Sequence, residues 1–526
     1  MAFYTVTDLE LTSIANAIRT KGGTSASLAF PSEFVSAIND ISAGANDDGY
    51  IQMTLQQVSN STASYVGSRA FWNFSSLESV RMDNVTEISM YAFMGCIQLS
   101  NVAFPKCEYI DTAAFQSTAI TEVTSDNFPA LTSVHISAFT SCSLLSRVIL
   151  NDLVSFGGSI SSNTYSQFFS HCPIEYIEMN ALSVVPSYLF RYLGSLRSAS
   201  FASATSIGSS AFYFASNLES ITTGTLTGIG SNAFAFTSLK EFSISEYINV
   251  GTGAFNNNRY LSRAYIPFSD MVPSYLFQNC VSLSSVYFGE ATILGAYCFC
   301  NTAISDFSGF PVFTSFSYYA FGGTSINKIP PNTLSMIDGF QGCNNLTTIS
   351  DSDFPSANIV GTSAFANCKG LTNVSLSNVY TMNSYAFYSC TSLVNVSLPA
   401  IGTCGINAFQ GCTALSQVSF PLLRGVHNNL FNGCTNLAVV YLPKASMIAS
   451  SAFVNCFNLV SLYLGNSSMV MLYSSASYIF KSTPIGGYSG SAGVLGTVYV
   501  PESLVATYKG NASWKSISAR IVGYSF

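Results

Sequence analysis

Cysteine is the residue type best suited to chemistry in this sequence, and its spacing is regular. Cys368, Cys390, Cys412, Cys434 and Cys456 follow one another at 22-residue intervals, and Cys96, Cys142, Cys172, Cys280 and Cys343 fill the same slot earlier. Zinc binding needs paired clusters with Cys or His partners, and Cys298-x-Cys300 is the only close pair. Disulfides are harder to dismiss if equivalent positions stack, but stacked side chains point in parallel, which opposes the crossed geometry a disulfide needs. The slot also takes Thr118, Ala215, Thr237, Thr302 and Thr324. A position that accepts Cys, Thr or Ala is a small packing site, filled here by thiols that suit synthesis in a reducing compartment.

Other catalytic constellations are thin. His135, His171 and His427 are isolated in sequence, so neither a Ser-His-Asp nor a His-metal site is expected. Asp351 and Asp353 sit in a turn as solvated or capping groups, and Asp47-Asp48-Gly49 lacks the rest of a calcium loop. The expectation is no enzyme, no metal and no cofactor. With 19 Lys and Arg scattered singly against 26 Asp and Glu, and a net charge of −7, nucleic acid is not an expected partner. No apolar run is long enough to insert in a membrane.

Tyrosine offers binding chemistry instead. Tyr265 and Tyr287, and again Tyr441 and Tyr463, are 22 residues apart and follow a buried Val, or its equivalent, on a strand. In a stack their rings would lie side by side. Aromatic faces beside hydroxyl and amide groups suit sugar rings, whose C–H faces are apolar and whose edges are polar. Tyrosine also favours strands and pairs across them with no ligand involved.

The elements that would position these residues come from the period. Phenylalanines recur from Phe71 to Phe453, mostly at steps of 21 or 22, and every step from Phe365 through Phe387, Phe409 and Phe431 to Phe453 is 22. The copy at Phe387 reads I-x-x-x-A-F-x-x-C-x-x-L-x-x-V-x-L-P, with Ala386, Cys390, Leu393, Val396, Leu398 and Pro399. The alternation at Val396-x-Leu398 predicts a half-buried strand. The three- and four-residue spacing from Ala386 to Leu393 predicts one or two helical turns. One coil cannot bury its apolar stripe alone, so the expectation is an α/β solenoid of about 18 coils with Phe and Cys inside.

This pattern resembles the BspA-type leucine-rich repeat, over roughly residues 60–480. The resemblance implies a binding or adhesive surface protein and supplies no catalytic residues. The expected organisation is a helical module over 1–43, a linker and N-terminal cap over 44–59, the solenoid over 60–495 and a C-terminal cap over 496–526. In the first module Leu11, Ile14 and Ile18 fall at helical spacing, and Phe34, Val35 and Ile38 form a second short stripe. Two such helices bury too little to stand alone, which favours docking or homo-oligomerisation. The run LTSIANAIRTKGGTSASLAFPSEFVSAINDI is similar to an N-terminal segment of tail-associated proteins of phages and prophages, and the N-terminus lacks a secretory signal pattern. The resemblance implies a virion tail protein made in the bacterial cytoplasm, docked to other tail proteins through this module and presenting the solenoid to a host-surface glycan or protein. The alternatives are a bacterial cell-surface adhesin and a structural tail protein with no ligand.

Overall fold

Each repeat closes into a coil with two strands. The computed structural model describes residues 5–6, 56–158, 169–268, 270–307, 310–329, 334–488 and 494–526. In the coil before Phe387 the front strand is Asn373–Ser375, and the back strand is Thr381–Met382. Val374 and Met382 point inward, while their neighbours face solvent or are half-buried, as the alternation predicts. Successive coils repeat this in register: Val374 pairs with Val396 and Met382 with Cys404, both in parallel. The result is a parallel β-solenoid of leucine-rich-repeat type.

The segment between back strand and front strand is a turn rather than the helical piece its spacing suggests. Tyr385, two residues before Phe387, has φ 61°, and Ser389, two residues after it, has φ 55°. Left-handed residues on both sides of the phenylalanine forbid an α-helix. Backbone N–H groups instead cross to the next coil: Tyr385 to Ile406 at 3.0 Å, Phe387 to Ala408 at 2.8 Å and Ser389 to Gln410 at 2.8 Å. These bonds satisfy the turn's polar backbone in the way the strands satisfy theirs. Among the described residues, helix is confined to the stretch from Ala476 to Arg520.

The chain forms two compact units, Met1–Lys240 with Ile248–Asn258 and Glu241–Tyr247 with Arg259–Phe526. Both carry a column of fully buried phenylalanines. In the first, Phe71, Phe93, Phe115 and Phe139 stack at 5.1, 5.2 and 5.4 Å. In the second, Phe365, Phe387, Phe409 and Phe431 stack at 5.4, 5.6 and 5.8 Å with their planes within 10°. Burying one such ring contributes about 2–3 kcal/mol, and stacking about 1 kcal/mol more.

The cysteine slot lies beside this column, and all fourteen thiols are buried and outside disulfides. Cys368, Cys390, Cys412 and Cys434 each donate from Sγ to the carbonyl of the preceding coil's phenylalanine, at 3.0 to 3.1 Å. Thr118, Thr302 and Thr324 in the same slot turn back and bond the phenylalanine carbonyl of their own coil. Asn258 does both, donating to Phe234 and Phe255.

The segment after the last repeat continues the second unit's front sheet. Strands Thr497–Pro501 and Ile521–Tyr524 extend the front sheet beyond Ser461–Tyr463. Trp514 and Tyr508 are fully buried; Trp514 Nε1 donates to the Val470 carbonyl and the Val470 N–H donates to Tyr508 Oη. At the other end, Thr5–Val6 pairs in parallel with Gln57–Asn60. The helices expected to carry Leu11, Ile14, Ile18, Phe34, Val35 and Ile38 lie outside the described residues. Among the described residues no helix is long and apolar enough to cross a membrane.

Candidate ligand-binding face

The front strands place every second side chain outward, so equivalent positions form rows across the sheet. Ser243, Tyr265 and Tyr287 are one such row in the second unit. The two tyrosine rings lie 4.4 Å apart with planes 12° apart, and they remain 43% and 40% exposed. Stacking covers one face of each ring. On the side away from Tyr287 the strand neighbour in register with Tyr265 is the small residue Ser243. Partial desolvation, then the neighbouring Tyr287, holds the Tyr265 phenol above its ordinary range, so this hydroxyl keeps its proton and can donate.

Tyr247 adds a wall that period-based reasoning missed. It is 56% exposed, and its ring edge lies 3.3 Å from where a Cβ on Gly289 would sit. Gly289 itself sits at φ 69°, in the left-handed region, at the end of the Tyr287 strand. Tyr247 precedes the back strand of its coil, so no tyrosine 22 residues away signals it.

The second pair departs from expectation. Ser419, Tyr441 and Tyr463 are again in register, but Tyr441 and Tyr463 are 6.0 Å apart and tilted by 50°. Tyr463 stacks instead on Tyr499, at 4.4 Å and 10°, in the capping strand. The chain's last aromatics close over this group. Tyr524 meets Tyr463 edge-on at 5.2 Å, and Phe526 lies 6.2 Å from Tyr441 and against Gly465. The sequence brings Tyr265 and Tyr287 together as an open platform, and Tyr441 and Tyr463 into a covered one.

Several other polar side chains are engaged in structure. Glu178 accepts from Tyr176 Oη at 2.6 Å, Asn180 Nδ2 at 2.9 Å and Asn151 Nδ2 at 3.0 Å, which hold its carboxyl below the usual range. Asp353 accepts from the Ser350 N–H at 2.8 Å and Asp351 from the Ser377 N–H at 2.8 Å, both capping turns. His135 bonds Ser137 at 2.9 Å and His171 bonds Ser170 at 3.0 Å, on different elements. Among the described residues no three His, Cys, Asp or Glu side chains converge as a metal site.

Comparison with known proteins follows the repeat. The family model described as "BspA type Leucine rich repeat region (6 copies)" matches residues 64–184, 159–284, 270–376 and 358–484. No curated protein matches the chain. Among solved structures it is similar to a leucine-rich repeat protein from Bacteroides ovatus, 19% identical over 86% of this chain and 97% of that one, with a TM-score of 0.34. A leucine rich cell surface protein from Faecalibacterium prausnitzii is 18% identical over 80% of this chain and 84% of that one, with a TM-score of 0.20. The pneumococcal vaccine antigen PcpA is 14% identical over 86% and 85%, with a TM-score of 0.29. At such overlap these structures carry no functional argument. The family match spans most of the repeats, and the chain belongs to the BspA-type leucine-rich repeat family.

Proposed function

We propose that this chain is a non-enzymatic binding protein of a cell surface, which recognises a glycan, or a protein carrying one, through its front strands. One observation carries the reading. Tyr265 and Tyr287 keep about two-fifths of their surface in solvent, stacked 4.4 Å apart beside Ser243 and Tyr247. A pyranose laid on the open ring face of Tyr265 would meet the apolar surface its C–H groups prefer, with Ser243 and phenol hydroxyls at its edge. Membership of a repeat family tied to adhesion supports the same reading.

A tail-associated role through residues 1–43 rests on that segment's sequence alone, and the family match lies wholly on the repeats. The cell-surface reading therefore takes precedence. The experiment is a glycan array with the full chain and a Tyr265→Ser/Tyr287→Ser variant. Binding is expected for the parent and a drop of tenfold or more, by order of magnitude, for the variant with its melting temperature unchanged. Equal binding of neutral glycans by both, or no binding by the parent to glycans or whole cells, overturns the proposal.

A further inference from the structure

A second aromatic surface, unrelated to the front strands, lies on the turns of the first unit. The position two residues after the repeat phenylalanine is left-handed throughout the described turns, and several coils fill it with residues that suit it: Asn257, Gly95 and Asn73. In four successive coils it holds His171, Tyr192, Phe214 and Phe236, at φ 60°, 64°, 60° and 61°. Bulky rings are disfavoured in this conformation; the repeat also carries them two residues before the phenylalanine, as at Tyr188 and Tyr385, and what sets this column apart is that four coils in a row carry a ring. Burial does not explain them, since Tyr192 is 41% and Phe214 is 38% exposed.

The rings form a strip. Tyr192 and Phe214 are 5.8 Å apart, and Phe214 and Phe236 stack at 4.2 Å with planes 12° apart. Tyr213 stands across the strip, at 64° to Phe214 and 73° to Phe236. Beside it the Arg191 guanidinium lies 4.6 Å from the Tyr192 ring centre and 4.9 Å from that of Tyr213. Its Nη2 donates to Tyr192 Oη at 2.9 Å. An arginine held this way loses little freedom when its planar fork meets an anion. His171 occupies the equivalent position one coil earlier.

We propose that this strip is a binding site for a carboxylate-bearing sugar, a sialic or uronic acid unit, with Arg191 on the carboxylate and the C–H face of the sugar on the aromatic strip. A cation set into aromatic walls fits a ligand whose charge and apolar face belong to one ring. An acidic peptide would need only the charge and leaves the exposed Phe214 without a role.

The test is calorimetric titration of the full chain with 3′-sialyllactose and tri-galacturonic acid, with lactose as the neutral control and hexaglutamate as the peptide control. At least one acidic sugar is expected to bind ten or more times tighter than lactose and hexaglutamate, by order of magnitude for one charge-assisted contact. Arg191→Gln is expected to remove that preference. Phe214→Asn is expected to weaken binding without lowering the melting temperature, because asparagine suits the left-handed position. Tyr265→Ser/Tyr287→Ser is expected to leave it unchanged, which separates this site from the front-strand platform. No binding of either acidic sugar, or binding that survives Arg191→Gln, overturns the proposal. Hexaglutamate binding lost in both turn variants overturns it in favour of an acidic peptide.

Discussion

The Sγ of Cys412 donates to the carbonyl oxygen of Phe387, 3.1 Å away in the preceding coil. That oxygen already accepts the N–H of Cys390 within its own turn, at 3.2 Å. The thiol therefore fills the second lone pair of a buried carbonyl and ties one coil to the next. Cys390, Cys434 and Cys456 repeat the bond at 3.1 Å along the same column.

Replacing Cys412 separates packing from hydrogen bonding. Cys412→Ala removes both and is expected to cost about 1–2 kcal/mol. Cys412→Thr restores a polar contact, to the Phe409 carbonyl of its own coil by analogy with Thr302 and Phe299, and is expected to cost about half as much. Urea unfolding midpoints check the order. Equal loss in both variants would mean that the intercoil bond, not filling the slot, dominates.

Burial makes the same thiols report on pH. Desolvation pushes Cys412, Cys343 and Cys96 from the ordinary 9.0 up to about 12. The unfolded chain loses these protons first, so their stabilising contribution is complete below pH 9 and is lost as pH rises from 9 towards 12. The slope is about 1.4 kcal/mol per pH unit for each thiol. Melting temperature is expected to fall steeply in that window and less steeply in Cys412→Thr. Ellman's reagent is expected to find no reactive thiol in the native protein and all fourteen after denaturation.

The turn column makes a third prediction. Gly411 and Gly433 sit at φ 75°, where other coils carry Asn367 or Asn455 at 62° and 61°. A Cβ on Gly411 would come 3.2 Å from Ser389 Oγ, which can rotate away, so the cost is mainly backbone strain. Gly411→Ala is expected to destabilise by about 1–2 kcal/mol and Gly411→Asn by clearly less. Thermal melts of the two variants check this; equal losses would point to crowding instead.

That column also shows what the sequence made legible. The 22-residue step fixes the coil, and Val374 or Val396 between polar neighbours fixes the front strand. The spacing of Ala386, Phe387, Cys390 and Leu393 fits a helix and this turn equally well. Only the run of Asn and Gly two residues after the phenylalanine distinguishes them, because those residues favour left-handed backbone. The same limit applies to the site. Tyr265 and Tyr287 keep the period and could be paired on sight. Tyr499 follows Tyr463 across an insertion in the capping segment, so its stacking depends on strand register and not on the repeat.

The covered tyrosines give the last prediction. Tyr463 and Tyr499 stack at 4.4 Å, and Tyr524 stands edge-on to both, at 5.2 and 5.7 Å. Tyr524 and Phe526 are themselves 41% and 46% exposed, so their removal takes little from the core. Tyr524→Ser/Phe526→Ser is therefore expected to uncover the Tyr441, Tyr463 and Tyr499 group while lowering stability by no more than about 1–2 kcal/mol. Nitration by tetranitromethane, followed by peptide mass spectrometry, is expected to rise severalfold at Tyr463 and Tyr499 and to stay constant at Tyr265. Unchanged nitration would mean that ring stacking, not the C-terminal strand, shields them. If the rise is accompanied by new glycan binding that persists in Tyr265→Ser/Tyr287→Ser, the front sheet carries a second platform held closed by its own C-terminal aromatics.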